Sequence, residues 1–109
     1  MQLRRGERMS DDYRQSGMIN RVARAAVQIQ MYMEETARSL GVSDISCSWD
    51  VEGGWEKLPD KAALIARSRG EPVRLEFTRD EISSFPSEAD QGRMASRLRE
   101  AAHKLAARK

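Results

Sequence analysis

Cysteine and histidine each occur once in this 109-residue chain, and proline only three times. A lone Cys47 has no internal partner, which excludes a scaffold stapled by disulfides. One histidine with one cysteine cannot supply the closely spaced ligand pairs of a zinc finger or ribbon. No Asp-rich loop of the calcium-binding kind is present either, so neither a metal nor any other cofactor is expected. No apolar run approaches the roughly 18 residues that a membrane span requires. The opening Met1–Arg8 is basic but has no apolar stretch behind it, unlike a secretory signal. These absences point to a cytoplasmic protein without membrane contact. Aromatic residues make up only 6% of the chain, so aliphatic and Met side chains must fill most of the core.

The groups that carry catalysis are equally sparse. His103, the one ordinary base for neutral pH, falls near a helix C-terminus beside Lys104 and four residues from Arg99, where a cation suits the helix dipole. Cys47 falls on the apolar side of a predicted strand and reads as a small buried hydrophobe. Carboxylates adjoin at Asp11-Asp12, Glu34-Glu35 and Asp80-Glu81. Neighbours on a helix point about 100° apart, so the helical pairs form no acid/base couple. The glycines do not follow the strand–glycine–helix order of a phosphate loop. The chain is therefore not expected to be an enzyme.

What is present is charge and pattern. Charged residues are 33% of the chain and the net charge is only +2, unevenly spread. Residues 1–25 carry six basic and three acidic groups, residues 26–60 two and seven, residues 61–109 eleven and seven. The length suits one domain with one modest core. Residues 1–10 are polar, basic and aperiodic and read as a disordered basic tail, leaving residues 11–109 as a single α+β domain.

Residues 11–40 read as one long helix. Ile19, Val22, Ala26, Ile29, Met33, Ala37 and Leu40 recur in steps of three and four, within an arc of about 80°. Gly41 stands where a C-terminal glycine belongs. The period then switches. Ile45, Cys47, Trp49 and Val51 alternate with polar residues as in a half-buried strand, and Gly53-Gly54 marks a turn. Trp55 could begin a short return strand. Residues 61–69 suit either a short helix or a strand. A hairpin with the next strand is preferred, because a third strand would cure the marginality of two. Val73, Leu75 and Phe77 alternate in a further strand, Thr78–Glu81 matches a capping box, and Ser87–Ala107 reads as the last helix. The predicted fold is a long N-terminal helix, a two- or three-stranded antiparallel sheet and a C-terminal helix, with both helices on one face of the sheet.

Two surfaces stand out. Ala23, Val27 and Met31 run at i, i+4 and i+8 beside the narrow apolar seam, and Met-bearing stripes often meet another chain. Trp55, after the glycine turn, is a further candidate for a protein contact. On the last helix Arg93, Arg97, Lys104 and Arg108 fall within an arc of about 60° and could neutralise phosphates. No aromatics interleave them for base stacking. The leading expectation is a small non-enzymatic interaction or regulatory domain, of the kind found as bacterial or phage accessory proteins. Its partner would be another protein or itself, possible homodimerisation running through the long helix. The alternative is a nucleic-acid-associated protein using the basic C-terminal helix.

Overall fold

The stripe of apolar residues between Ile19 and Leu40 belongs to helix α1, Gln2–Ser39. The computed structural model describes the backbone of residues 2–85 and 88–107, with the side chains of residues 16–85 and 92–107. At 1.5 Å per residue the 38 residues of α1 make a rod of about 57 Å, which accounts for the 64 Å long dimension of the molecule. The helix starts at Gln2 and not near Asp11, since no proline interrupts residues 2–10 and most of them are good helix formers. Met1 and all side chains of the expected 1–10 tail lie outside the described residues.

Burial follows the expected seam. Val22, Ala26, Ile29, Met33 and Ala37 are all buried, Ala25 joins them, and Ile19 and Leu40 are half-buried at the two ends. The helix stops in a Schellman turn. Gly41 takes φ 94°, its N–H donates to the Arg38 carbonyl at 3.0 Å, and the Val42 N–H donates to the Ala37 carbonyl at 2.9 Å. Val42 and Ala37 are both fully buried, the apolar contact that accompanies this turn.

Three strands follow: β1 (Ser46–Asp50), β2 (Lys61–Arg67) and β3 (Val73–Thr78), antiparallel in the order β1-β2-β3. Residues 61–67 are thus a strand, paired on both sides. The register aligns Cys47, Ala66 and Val73 in one row, Trp49, Leu64 and Leu75 in the next, and Ala62 with Phe77 in the third. These rows form the face under the helices. The opposite face carries Ser46, Ser48, Asp50, Arg74 and Glu76, all exposed. There Arg74 bonds Asp50 at 3.0 Å across the sheet, and Ala63 is buried between the flanking residues Asp50 and Glu76.

Residues 55–57 do not return as a strand. Gly53 and Gly54 take φ 75° and 79°, and the chain coils into a 3-10 turn, Trp55–Lys57, closed by Leu58 at φ 45°. Two successive left-handed glycines turn the backbone away from the sheet edge, leaving Trp55 no strand to pair with.

The capping box expected at Thr78 is present. Thr78 Oγ1 accepts from the Glu81 N–H at 3.1 Å, and Glu81 Oε1 accepts from the Thr78 N–H at 2.8 Å. It launches α2 (Arg79–Ser84), which delivers Ile82 and Phe85 into the core. Helix α3 (Glu88–Ala107) buries Met94, Leu98, Ala101, Ala102 and Leu105. Its expected cap, Ser87, lies outside the described residues. All three helices share one side of the sheet, and α1 packs against α2, α3 and β1.

Ile29 and Val27 sit two residues apart on α1, one fully buried and the other 54% exposed. Ile29→Ala should lower the unfolding free energy by about 2–5 kcal/mol. Val27→Ala should change it by less than about 0.5 kcal/mol. Urea denaturation of the two variants checks the orientation of the rod.

Candidate functional site

The line Ala23–Val27–Met31 lies on the side of α1 turned away from the core. Val27 is 54% and Met31 52% exposed, and Ala23 is half-buried. A third large apolar side chain, Met18, is 52% exposed one turn before Val22. Sequence reasoning missed Met18 because it falls off the 23–27–31 line. It belongs to the edge of α1 facing α2, beside a hollow of about 160 Å³ lined by Arg21, Arg79, Asp80 and Ser83 among others.

The flank of the line next to the sheet is set by two hydrogen bonds. Trp49 Nε1 donates to the Ala26 carbonyl at 3.1 Å, and Gln30 Nε2 donates to the Cys47 carbonyl at 3.2 Å. Two residues along β1 therefore match four residues back along α1, as two elements running in opposite directions require. The same progression brings Val51 and the glycine turn level with Val22 and Ala23. Trp55 sits at that end, half-buried, with its ring edge-on to Trp49 at 5.6 Å and 68°. Trp49 in turn leans on Phe77 at 6.2 Å. Trp55 is thus anchored by its partner ring and still presents part of its surface.

The basic face of α3 is divided. Arg93 and Lys104 are exposed, and Arg108 lies outside the described residues. Arg97 is turned onto the sheet instead. Its guanidinium donates to the Glu76 carbonyl at 2.8 Å, stands 3.6 Å from the Glu81 carboxylate, and lies 4.5 Å over the Phe77 ring. It covers an edge-strand acceptor and joins α3 to β3 and α2. Arg99 donates to the Tyr32 hydroxyl at 3.2 Å, tying α3 to α1. A hollow of about 230 Å³ beside Arg93 is lined by Asp80, Glu81, Ser84 and Met94, so acidic groups share it with the arginine.

Cys47 is half-buried under α1. Burial pushes its thiol from an ordinary 9.0 up to about 12; Glu34 adds to the rise and Arg38 opposes it. A thiol held protonated is a poor nucleophile. Among the described residues no group of three or more His, Cys, Asp or Glu side chains is placed to hold a metal ion. No described helix is long and apolar enough to cross a membrane.

Two outcomes follow from these contacts. Arg97→Ala should lower stability by about 1–3 kcal/mol, read by urea denaturation, since it removes a hydrogen bond to an edge carbonyl and a ring contact. A raised thiol pKa means that the folded chain keeps a proton which the unfolded chain releases between 9.0 and about 12. Stability from this group is complete below that window and declines as pH rises through it. Denaturation followed over the window should show a smaller decline in Cys47→Ala than in the parent. Set beside known proteins, the chain matches no family model, no curated protein and no solved structure.

Proposed function

We propose that this chain is a small non-enzymatic interaction or regulatory domain, acting in the cytoplasm. It binds a protein partner through the outer face of α1, with Trp55 at one end of the contact. The observation that carries the reading is the half exposure of Val27 and Met31 on the side of α1 opposite its buried stripe. The core does not need these side chains. An aliphatic and a thioether group held in water on a rigid rod gain free energy by meeting an apolar surface. Trp55 adds an aromatic anchor already held in place by Trp49, so little side-chain freedom is lost when a partner covers it. A small accessory or inhibitor protein of bacterial or phage type fits a chain of this size and chemistry.

Nucleic-acid association through α3 has less support. Of the four expected contacts, Arg93 and Lys104 are exposed and make no ion pair among the described residues, whereas the Arg97 guanidinium is already committed to Glu76, Glu81 and Phe77.

Val27→Asp combined with Met31→Asp tests the leading reading. The double variant should keep the circular dichroism and melting temperature of the parent, because both sites face water. It should lose association with a protein partner, a second copy included, as read by sedimentation velocity and by co-purification compared with the parent. A double variant that unfolds would place this face in the core and sink the reading. So would one that still binds, as the parent does, a protein that the parent binds.

A further inference from the structure

The charges around Val27 and Met31 are not arranged at random, and they specify a partner. At 100° per residue Asn20 and Arg38 point in the same direction and mark the middle of the outer face of α1. Arg24, Met31 and Glu35 fall on one flank of that line, and Ala23, Val27 and Glu34 on the other. Arg24 and Glu35 are both exposed, and neither has an ion-pair partner in its own chain among the described residues.

We propose that the outer face of α1 pairs with the same face of a second copy of this chain, antiparallel, about a two-fold axis between residues 29 and 30. This inference rests on the reading of that face as an interaction surface and adds the identity of the occupant. A two-fold axis perpendicular to the helices brings like flank against like flank and reverses direction. Residue i then lies opposite residue 59 − i of the partner. Arg24 meets the partner's Glu35, and Glu35 meets the partner's Arg24, so one geometry makes two ion pairs. The two Met31 side chains lie within about a turn of each other along the axis, and the two Val27 side chains lie on the opposite flank, about 7.5 Å apart along it. Arg38 lies level with the partner's Arg21, which points about 100° away from the shared face, and reaches the partner's Asn20 one residue along, an acceptor on that face. Glu34 faces the partner's half-buried Ala23, which leaves its carboxylate room to turn to water.

The parallel alternative is disfavoured by the same charges. In register, Glu35 on one flank would stand against the partner's Glu34 on the other, twice over, and Arg24 would find no acid. The interface holds only four large apolar side chains, so the dimer belongs at the small, weak end of protein–protein contacts. A weak contact with exposed ion pairs responds to salt.

Sedimentation velocity over a concentration series of the full chain tests this. The parent should show a monomer–dimer equilibrium that weakens as salt rises from about 50 to about 500 mM. Arg24→Glu, exposed and expected to fold as the parent by circular dichroism, turns two attractions into two repulsions. It should raise the dimer dissociation constant roughly tenfold or more. Adding Glu35→Arg to that variant restores both pairs with their signs exchanged and should return the constant to within about threefold of the parent. A parent that stays monomeric throughout the series overturns the proposal, as does an Arg24→Glu variant that dimerises like the parent or a double exchange without recovery. A monomeric parent whose Val27→Asp, Met31→Asp variant stays folded removes self-pairing but leaves α1 open to another protein. Unfolding of that variant removes both.

Discussion

The packing of the α1 stripe against the sheet and the other two helices is the constraint on which the rest of the molecule depends. Val22, Ala26, Ile29, Met33 and Ala37 together leave almost no surface in water. They close one side of a core whose central strand contributes mostly small residues, Ala62 and Ala66 around Leu64, with Phe77 of β3 the large side chain beside them. Alanines in the central strand let the helices approach closely, and Met33 and Met94 fill what remains. A sheet of three strands is marginal alone; its inner face must be covered, and the helices are its cover.

Two side chains then manage the edges of that sheet. Gln30 of α1 reaches the Cys47 carbonyl on β1, and Arg97 of α3 reaches the Glu76 carbonyl on β3. Each satisfies an acceptor on an outer strand and blunts an edge that could otherwise template pairing with another chain. The same contacts orient the helices. With Gln30 and the Ala26 carbonyl facing β1, and Tyr32 edge-on to Phe85 at 6.0 Å, the rotation of α1 about its own axis is set. That rotation turns Val27 and Met31 outward together with Arg24 and Glu35. The exposed apolar line of α1 and its buried stripe are therefore two consequences of one orientation.

Much of the architecture was legible because it is written in periodicity. The 3.6-residue stripe of α1, the alternation in Ile45–Val51 and Val73–Phe77, and the Thr78–Glu81 capping box are local signals with local causes. Lys61–Arg67 was harder, since an alanine-rich segment has helix propensity, and only pairing on both sides makes it a strand. Trp55 was misread as the start of a return strand because Gly53-Gly54 resembles a hairpin turn. The left-handed backbone of both glycines coils the chain into a 3-10 turn instead.

The sequence by itself determined the seam of α1, the strands β1 and β3, the capping box and the last helix, because each depends on spacing within one segment. It also placed Ala23, Val27 and Met31 on a line away from the seam. Only the tertiary structure decided which charged groups are committed. Arg97 and Arg93 look alike along α3, yet one is held over Phe77 and against Glu76 while the other faces water. That difference comes from β3, brought to α3 from twenty residues earlier in the chain, and no periodicity within a helix can encode a neighbour supplied by the fold.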